Sequence, residues 1–227
     1  MQARDVMTCH AICVGPDLLV QAVANTLVKN GISAVPVVSL DGKLVGIVSE
    51  GDLIRRVETG TERRHPWWLE MISSNRSLAA EFTKAHGLKA KDVMTTQVLT
   101  ADPDTPLETV ADMMERHGVK RVPIVKDGNI VGIISRANLV QALASGRHDA
   151  PVDDADEKLR QAVTAEIENK PWGHGMINVI VHNGTVDLWG VVGSEEERKA
   201  ACVVAECTPG VRAVNDKLRV FRGSLGD

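Results

Sequence analysis

The sequence predicts a mixed fold, α+β or α/β in class, in which one unit occurs twice and a small αββαβ domain follows. Three observations support this prediction. The Asp-Val-Met-Thr sequence at 5–8 occurs again at 92–95, and the signals that follow it recur in register. Within each copy, helical apolar spacing alternates with short β-strand patterns. Beyond a junction at about 146–152, the order of these patterns changes.

The spacing of the repeat defines its length. Gly31 and Pro36 return as Gly118 and Pro123, in each case 87 residues later. One residue is missing from the following turn of the second copy, so the next matches lie 86 residues apart. They include three pairs: Gly46 with Gly132, Ser49 with Ser135, and Asp52 with Asn138.

Each copy contains a helix followed by two strands. Val20, Val23 and Leu27 in the first copy, and Leu107, Val110 and Met114 in the second, have helical spacing. We expect the glycines at 31 and 118 to end these helices. The sequence Thr105-Pro106-Leu107-Glu108 predicts a capping box with proline at the first helical position. The strands are predicted at 35–38 and 44–48, and at 122–125 and 130–134, with Asp-Gly turns between them.

The last strand of each copy runs into a helix start through Ser49-x-x-Asp52 or Ser135-x-x-Asn138. The backbone N–H groups of a helix start suit a phosphate, and a carboxylate three residues on could accept from a ribose diol. The same spacing is also a capping box, which needs no ligand. Both interpretations stay open from the motif alone.

Val-Met-Thr, then hydrophobic-Pro-hydrophobic, then Gly-hydrophobic-x-Ser-x-x-Asp resembles the CBS motif, and two in tandem resemble a Bateman module. The resemblance covers about residues 1–145 and implies two βαββα units packed as a pseudo-twofold pair. Such pairs carry two clefts for adenosine-containing ligands, usually dimerise into a disc, and generally catalyse nothing.

The resemblance also implies ligand-binding positions. Ser49 and Ser135 would contact phosphate, and Asp52 would hold the ribose, whereas Asn138 lacks the charge and one acceptor oxygen. Lys120 and Arg121 resemble the basic residues before that proline in the AMP-sensing subunit of an energy-regulated kinase. A solvated strand edge is the alternative for these two residues. The full predicted set is Thr8, Ala34, Val35, Pro36, Ser49, Asp52, Thr95, Lys120, Arg121, Pro123, Ser135 and Asn138. Which of them share a cleft is left open.

An insert separates the two copies and contains basic residues, the pair Trp67-Trp68, and a helix predicted from Ser77 to Gly87. Its apolar face would include Leu78, Phe82 and Ala85. Adjacent tryptophans beside arginines could stack a nucleobase or anchor the insert on the module or across a dimer contact. The net charge of −4 favours the second interpretation.

The C-terminal segment predicts a helix at 153–168, a hairpin turning at Asn183-Gly184, a helix opened by a capping box at 194–197, and a strand at 211–221. Val186-x-Leu188-x-Gly190 and its return strand resemble the BON domain. BON domains are associated with phospholipid or envelope components. Between 152 and 222 there are 12 acidic and 9 basic residues, which disfavours an anionic membrane surface. His174, His182 and Trp189 are candidates for a partner surface.

The resulting domain prediction is a CBS motif at 1–60, an insert at 61–90, a second CBS motif at 91–145, a linker at 146–152 and a BON-like domain at 153–222. We predict a non-enzymatic, cytoplasmic homodimer, formed through the CBS pair, with no catalytic residues. Its regulatory ligand would be AMP or ATP, with ADP, S-adenosylmethionine and NAD as further candidates. No other cofactor, metal or nucleic acid is expected, and the BON partner is an unknown protein or lipid.

Two further expectations come from composition. The cysteines, Cys9 and Cys13 with Cys202 and Cys207, form distant pairs, which favours a reduced compartment. Cys9-His10-x-x-Cys13 lacks a second ligand pair for zinc, and the two C-terminal cysteines are expected as small buried residues. The alternative function is a dimeric scaffold, in which the CBS pair is structural and the BON domain binds phospholipid or an envelope partner.

Overall fold

The computed structural model describes residues 1–9, 11–54, 60, 82–145, 154–173 and 176–220. The chain divides into two compact units. Residues 11–99 and 127–130 form the first-repeat unit, and residues 1–10, 100–126 and 131–227 form the second-repeat unit, which includes the C-terminal domain. The predicted Trp67-Trp68 pair, the start of the insert helix, the 146–152 linker and His174 lie outside the described residues.

The elements follow the predicted order. They are β1 (Thr8–Cys9), α1 (Val20–Asn30), β2 (Ala34–Val38), β3 (Leu44–Ser49), α2 (Glu50–Leu53), α3 (Ala90–Val93), α4 (Leu107–Arg116), β4 (Arg121–Lys126), β5 (Asn129–Ser135), α5 (Arg136–Ala144), α6 (Asp154–Glu168), β6 (Met176–His182), β7 (Thr185–Val192), α7 (Glu195–Cys207) and β8 (Ala213–Val220). A 3₁₀ turn at Ala3–Asp5 precedes β1, and residues 82–86 are helical.

The first-repeat unit is built around α1 and the antiparallel pair β2–β3. The predicted helical stripe is confirmed, since Val20, Val23 and Leu27 are all buried. They share one core with three buried strand valines, Val35, Val37 and Val48. Gly31 ends the helix with φ 61°, a left-handed conformation that glycine adopts without a Cβ penalty. This core fixes the strand-to-helix junction at Ser49.

The second-repeat unit repeats this arrangement with α4, β4 and β5. Val110 and Met114 are buried as predicted, and Leu107 packs on the same core. The predicted capping box at 105–108 is wrong. Thr105 Oγ1 accepts from the Asp102 N–H at 3.0 Å, and the helix starts after Pro106 without a side-chain cap. The turn that precedes the helix uses the threonine hydroxyl instead.

The C-terminal domain has the predicted αββαβ order. Its sheet runs β6-β7-β8, antiparallel between the first pair and parallel between the second. The Asn183-Gly184 hairpin turn is confirmed, because both residues have positive φ. Asp156 on α6 accepts from both of their N–H groups, at 2.8 and 2.9 Å. Leu159, Val163 and Ile167 of α6 pack on the sheet together with α7.

Two C-terminal predictions need correction. Cys207 is exposed, whereas it was expected to be buried. Ser194 caps α7 by accepting from the Glu197 N–H, but Glu197 accepts from Gly193 rather than closing the box on Ser194. Burial, with a contribution from the nearby Asp216, raises the pKa of the half-buried Cys202 thiol to about 11.

Among the described helices, none has the length and apolar character needed to cross a bilayer.

Candidate functional site

The Asp-Val-Met-Thr segment of each repeat lies beside the last strand of the other repeat's sequence. Thr95 forms backbone hydrogen bonds in both directions with Ile47 of β3, at 3.0 and 2.9 Å. Thr8 is paired with Ile133 in the antiparallel ladder of β1 and β5. Ile47 and Ile133 are equivalent positions, so the two pairings match. The sequence left open which residues share a cleft, and these pairings divide the predicted residues into two groups.

Two glycines make room for these segments. A Cβ on Gly46 would collide with the Met94 side chain, and a Cβ on Gly132 would lie 2.6 Å from Met7 Sδ. Each methionine side chain therefore packs against the glycine in the last strand of the opposite copy. The glycine that precedes each Ser-x-x-Asp or Ser-x-x-Asn motif is explained by this packing, without any ligand.

The first group, which we call the first-repeat corner, contains Ala34, Val35, Pro36, Ser49, Asp52 and Thr95. Ala34 pairs with Ser49 across the β2–β3 ladder, and Pro36 pairs with Ile47 beside Thr95. Val35 is completely buried in the core. Ser49, Asp52 and Thr95 are half-buried and form the polar part of the corner.

Asp52 closes the predicted capping contact. Its Oδ2 accepts from the Ser49 N–H at 2.9 Å and from Ser49 Oγ at 2.7 Å. Its Oδ1 accepts from Lys84 Nζ at 2.7 Å. The Asp52 side chain is 12 % exposed and that of Lys84 is 43 % exposed. A carboxylate can accept about four hydrogen bonds, so Oδ1 keeps acceptor capacity beyond the three contacts named here.

The second group, which we call the second-repeat corner, contains Thr8, Lys120, Arg121, Pro123, Ser135 and Asn138. Asn138 is 4 % exposed, and its Oδ1 accepts from the Ser135 N–H and Oγ at 2.8 and 2.6 Å. Its Nδ2 donates to the Val6 carbonyl at 2.9 Å and to Thr8 Oγ1 at 3.2 Å. Both the oxygen and the nitrogen of the Asn138 amide therefore have hydrogen-bond partners within the protein.

The basic pair lies at the edge of this second corner. Lys120 is exposed, and its carbonyl accepts from the Arg136 N–H at 3.3 Å, which brings residue 120 beside the start of α5. Arg121 is half-buried, and Pro123 is buried. The backbone of residue 120 thus lies beside Arg136, the residue that follows Ser135.

The second-repeat corner also touches the C-terminal domain. Asn178 of β6 is 5 % exposed, and its Nδ2 donates to the same Val6 carbonyl at 3.2 Å and to Gln141 Oε1 at 3.1 Å. Ile180, on the same sheet face, is fully buried. We call this contact the Val6 joint: the Val6 carbonyl with Asn138, Asn178 and Gln141.

An ion pair adds to the contacts of the same domain. Arg160 of α6 is 6 % exposed, binds Glu157 through two nitrogens at 2.9 Å each, and lies 3.7 Å from Cys9 Sγ. Burial raises the pKa of Glu157, but the hydrogen bonds and charge of Arg160 outweigh it, so the net pKa is lowered. In the described part of the chain, no three acidic, histidine or cysteine side chains are placed to hold a metal ion.

Sequence reasoning missed Lys84 and Asn178. Lys84 belongs to the insert, which has no counterpart in the other repeat to draw attention to it. The sequence did indicate that the face carrying Asn178 is covered. The apolar Ile180 lies on the same, nominally outer face of the strand, and an apolar residue there is typical of a face packed against protein. Trp189, on that outer face, is half-buried, which agrees with packing under a neighbour.

Comparison with known proteins identifies the parts. A family model described as CBS domain matches residues 3–59 and 90–145, and one described as BON domain matches 155–221. The chain is 37 % identical over 126 residues to protein MJ1426 of Methanocaldococcus jannaschii, covering 51 % of this chain and 75 % of that protein. It is 33 % identical to CBSX1, a chloroplast CBS domain-containing protein of Arabidopsis thaliana, over 57 % of each chain.

The fold agrees with a solved structure. A crystal structure of CBSX2 of Arabidopsis thaliana in complex with AMP aligns with a TM-score of 0.57 and 27 % identity. The alignment covers 65 % of this chain and 99 % of that chain. This alignment confirms the predicted fold of the tandem pair, and the BON-domain match confirms the predicted C-terminal domain.

Proposed function

The chain belongs to the CBS-domain family and carries a BON domain after its CBS pair, and we propose that it is a non-enzymatic regulatory protein that binds an adenine nucleotide. The ligand would be AMP or a close relative such as ADP or ATP. The first-repeat corner would be the principal site, with Asp52 on the ribose and Ser49 near the phosphate. We propose a cytoplasmic location, as the composition suggests.

The observation that carries this proposal is the state of Asp52. Its carboxylate is held in place by Ser49, yet it is neither fully buried nor saturated with donors. A carboxylate fixed in this way is preorganised to accept at Oδ1 from a hydroxyl group, such as those of a ribose diol. The likeness to the AMP-bound CBSX2 structure supports the choice of ligand class.

The two corners support different roles. Asn138 already donates to Val6 and Thr8, so a ribose there would have to displace two internal hydrogen bonds. Each neutral hydrogen bond contributes about 1 kcal/mol, and a buried donor left unpaired costs about 1–3 kcal/mol. We therefore propose that the second-repeat corner, with Ser135 and the Lys120-Arg121 pair, binds nucleotide more weakly.

Isothermal titration of the full chain with AMP, ADP, ATP, NAD and S-adenosylmethionine tests the proposal. The Asp52→Asn variant keeps the acceptor for Ser49, as Asn138 shows, but removes the charge. We expect its dissociation constant for the bound nucleotide to rise by about tenfold or more. Asp112→Asn, which alters an exposed aspartate of α4, is the matched control and should leave binding unchanged.

Two results would overturn the proposal: no binding of any of the five ligands by the unaltered chain, or equal binding by Asp52→Asn and the unaltered chain. Thermal unfolding gives an independent check. A ligand at 100 times its dissociation constant should stabilise the protein by about 2.7 kcal/mol.

The BON domain is the proposed output element. The Val6 joint connects Asn138 of the second corner to Asn178 of this domain through one shared carbonyl. A ligand that displaces Asn138 would change a contact that holds the BON sheet.

We also propose a homodimer through the CBS pair. Leu107 and Leu139 line a depression of about 520 Å³ between α4 and α5, and Val140 and Leu143 are exposed beside it.

The scaffold alternative has one observation in its favour. A groove of about 480 Å³ lies between the start of α6 and the Asn183-Gly184 turn, with exposed Lys158 and Arg212 in its lining. These cations suit a lipid phosphate. Co-sedimentation of the full chain with phosphatidylserine vesicles, compared with phosphatidylcholine vesicles, separates this function from nucleotide sensing.

A further inference from the structure

Lys84 is the cation that the structure brings to Asp52. It lies in the helical residues 82–86, outside both segments that the CBS-domain model matches. Its Nζ is 2.7 Å from Asp52 Oδ1, and its side chain is much more exposed than the carboxylate it reaches. An exposed side chain from an insert thus covers one oxygen of the proposed ribose anchor.

The two oxygens of Asp52 have different partners. Oδ2 is held by Ser49, whose N–H and hydroxyl belong to the same turn and stay with the carboxylate. Oδ1 is held by a flexible lysine 32 residues away. Ligand hydroxyl groups would therefore meet Oδ1, where Lys84 is the partner that can move.

The positive charge of Lys84 matters for binding a phosphate near Asp52. A nucleotide phosphate placed near Asp52 would be repelled by the carboxylate unless a cation lies close by. In the strand position where the second copy has Lys120 and Arg121, the first copy has the uncharged Ser33 and Ala34. Lys84 supplies to the first-repeat corner the positive charge that its own strand lacks.

We propose that Lys84 is a ligand-binding residue of the first-repeat corner, which neutralises Asp52 in the free protein and turns to the phosphate when a nucleotide binds. This inference rests on the proposed function and adds a selectivity to it. The site would prefer phosphorylated adenosine compounds over adenosine. Adenosine has no phosphate to receive the ammonium group, so it competes with Lys84 for Asp52 without compensation.

The test compares AMP and adenosine on the full chain. In Lys84→Gln, the dissociation constant for AMP should rise about tenfold or more, since a charge-assisted contact is lost. That for adenosine should stay the same or fall. Lys84→Arg keeps the charge and should retain most of the preference for AMP. Lys91→Gln is the matched control, because Lys91 is similarly exposed and pairs with Asp17 in the same unit.

Each of the following outcomes would overturn the inference. AMP binding that is unchanged in Lys84→Gln removes Lys84 from the site. A parallel loss of AMP and adenosine binding assigns it a structural role only. If the unaltered chain binds neither compound, this inference fails, and the proposed function fails with it when ADP, ATP, NAD and S-adenosylmethionine do not bind either. Binding of AMP that depends on Asp52 but not on Lys84 would contradict this inference alone.

Discussion

Replacing Asn138 by aspartate would restore the residue that the first copy carries, and we expect it to destabilise the protein. Asn138 is 4 % exposed and donates through Nδ2 to Val6 and Thr8. In Asn138→Asp an oxygen takes the place of that nitrogen, 2.9 Å from the Val6 carbonyl oxygen. Two acceptors would then face each other, and a negative charge would be buried between them.

The magnitude follows from these contacts. Loss of two neutral hydrogen bonds costs about 2 kcal/mol in total. Burial and the facing carbonyl raise the pKa of the introduced carboxylate, and each unit of that rise costs about 1.4 kcal/mol at neutral pH. With a rise of one to two units, the free energy of unfolding should fall by roughly 3 to 5 kcal/mol.

The reverse change provides the control. Asp52→Asn keeps both acceptor contacts with Ser49 and loses a half-exposed ion pair with Lys84, which is typically worth about 0 to 1 kcal/mol. Urea unfolding of both variants at pH 7 should therefore show a clear difference between the two substitutions. Equal, small effects would refute the donor role assigned to Asn138.

The pH dependence of Asn138→Asp adds a second check. A group whose pKa is raised in the folded protein destabilises it fully above that folded pKa. The deficit should shrink as the pH falls through the raised value toward the unfolded value of about 3.9. A deficit that is constant between pH 7 and pH 4 would contradict the buried-charge explanation.

Three further predictions concern other contacts. Asn178→Ala removes two hydrogen bonds of the Val6 joint, so hydrogen exchange of residues 6–9 and 176–182 should speed up roughly tenfold. Leu143→Glu places a charge on the exposed α5 face and should shift sedimentation equilibrium toward monomer, whereas Val203→Glu on α7 should not. Glu157 has a lowered pKa, so its pairing with Arg160 stabilises the fold above about pH 4.3 and is lost as pH falls through the folded value. The stability difference between the unaltered chain and Glu157→Gln should thus shrink in acid.

The elements of each repeat could be predicted because local signals agree with the register of the duplication. Apolar spacing in α1 and the left-handed Gly31 are both local properties, and both predictions are confirmed. Thr105 shows the limit of this approach. Its hydroxyl had two possible local partners, and the turn at Asp102 outcompeted the helix for it.

The partners of the Asp-Val-Met-Thr segments could not be predicted. A spacing of 87 residues establishes that Thr8 and Thr95 are equivalent, but not which strand each one joins. That choice depends on chain connection in three dimensions, where Thr95 reaches Ile47 and Thr8 reaches Ile133. The contact between Lys84 and Asp52 could not be predicted for a related reason. The insert has no counterpart in the second copy, so no repeat spacing relates Lys84 to the rest of the corner.

In the two Ser-x-x-Asp and Ser-x-x-Asn motifs, the capping contact leaves one end of the third residue's side chain for a second role. Both motifs form the capping contact through one oxygen of the third residue. What distinguishes them is the other end of that side chain. In Asn138 it donates inward, to Val6 and Thr8, and joins the contact with the BON domain. In Asp52 it is a charged acceptor covered by Lys84, a partner that can move. A single difference between an oxygen and an NH₂ group therefore gives one copy an internal joint and leaves the other the charged acceptor that the proposed nucleotide site requires.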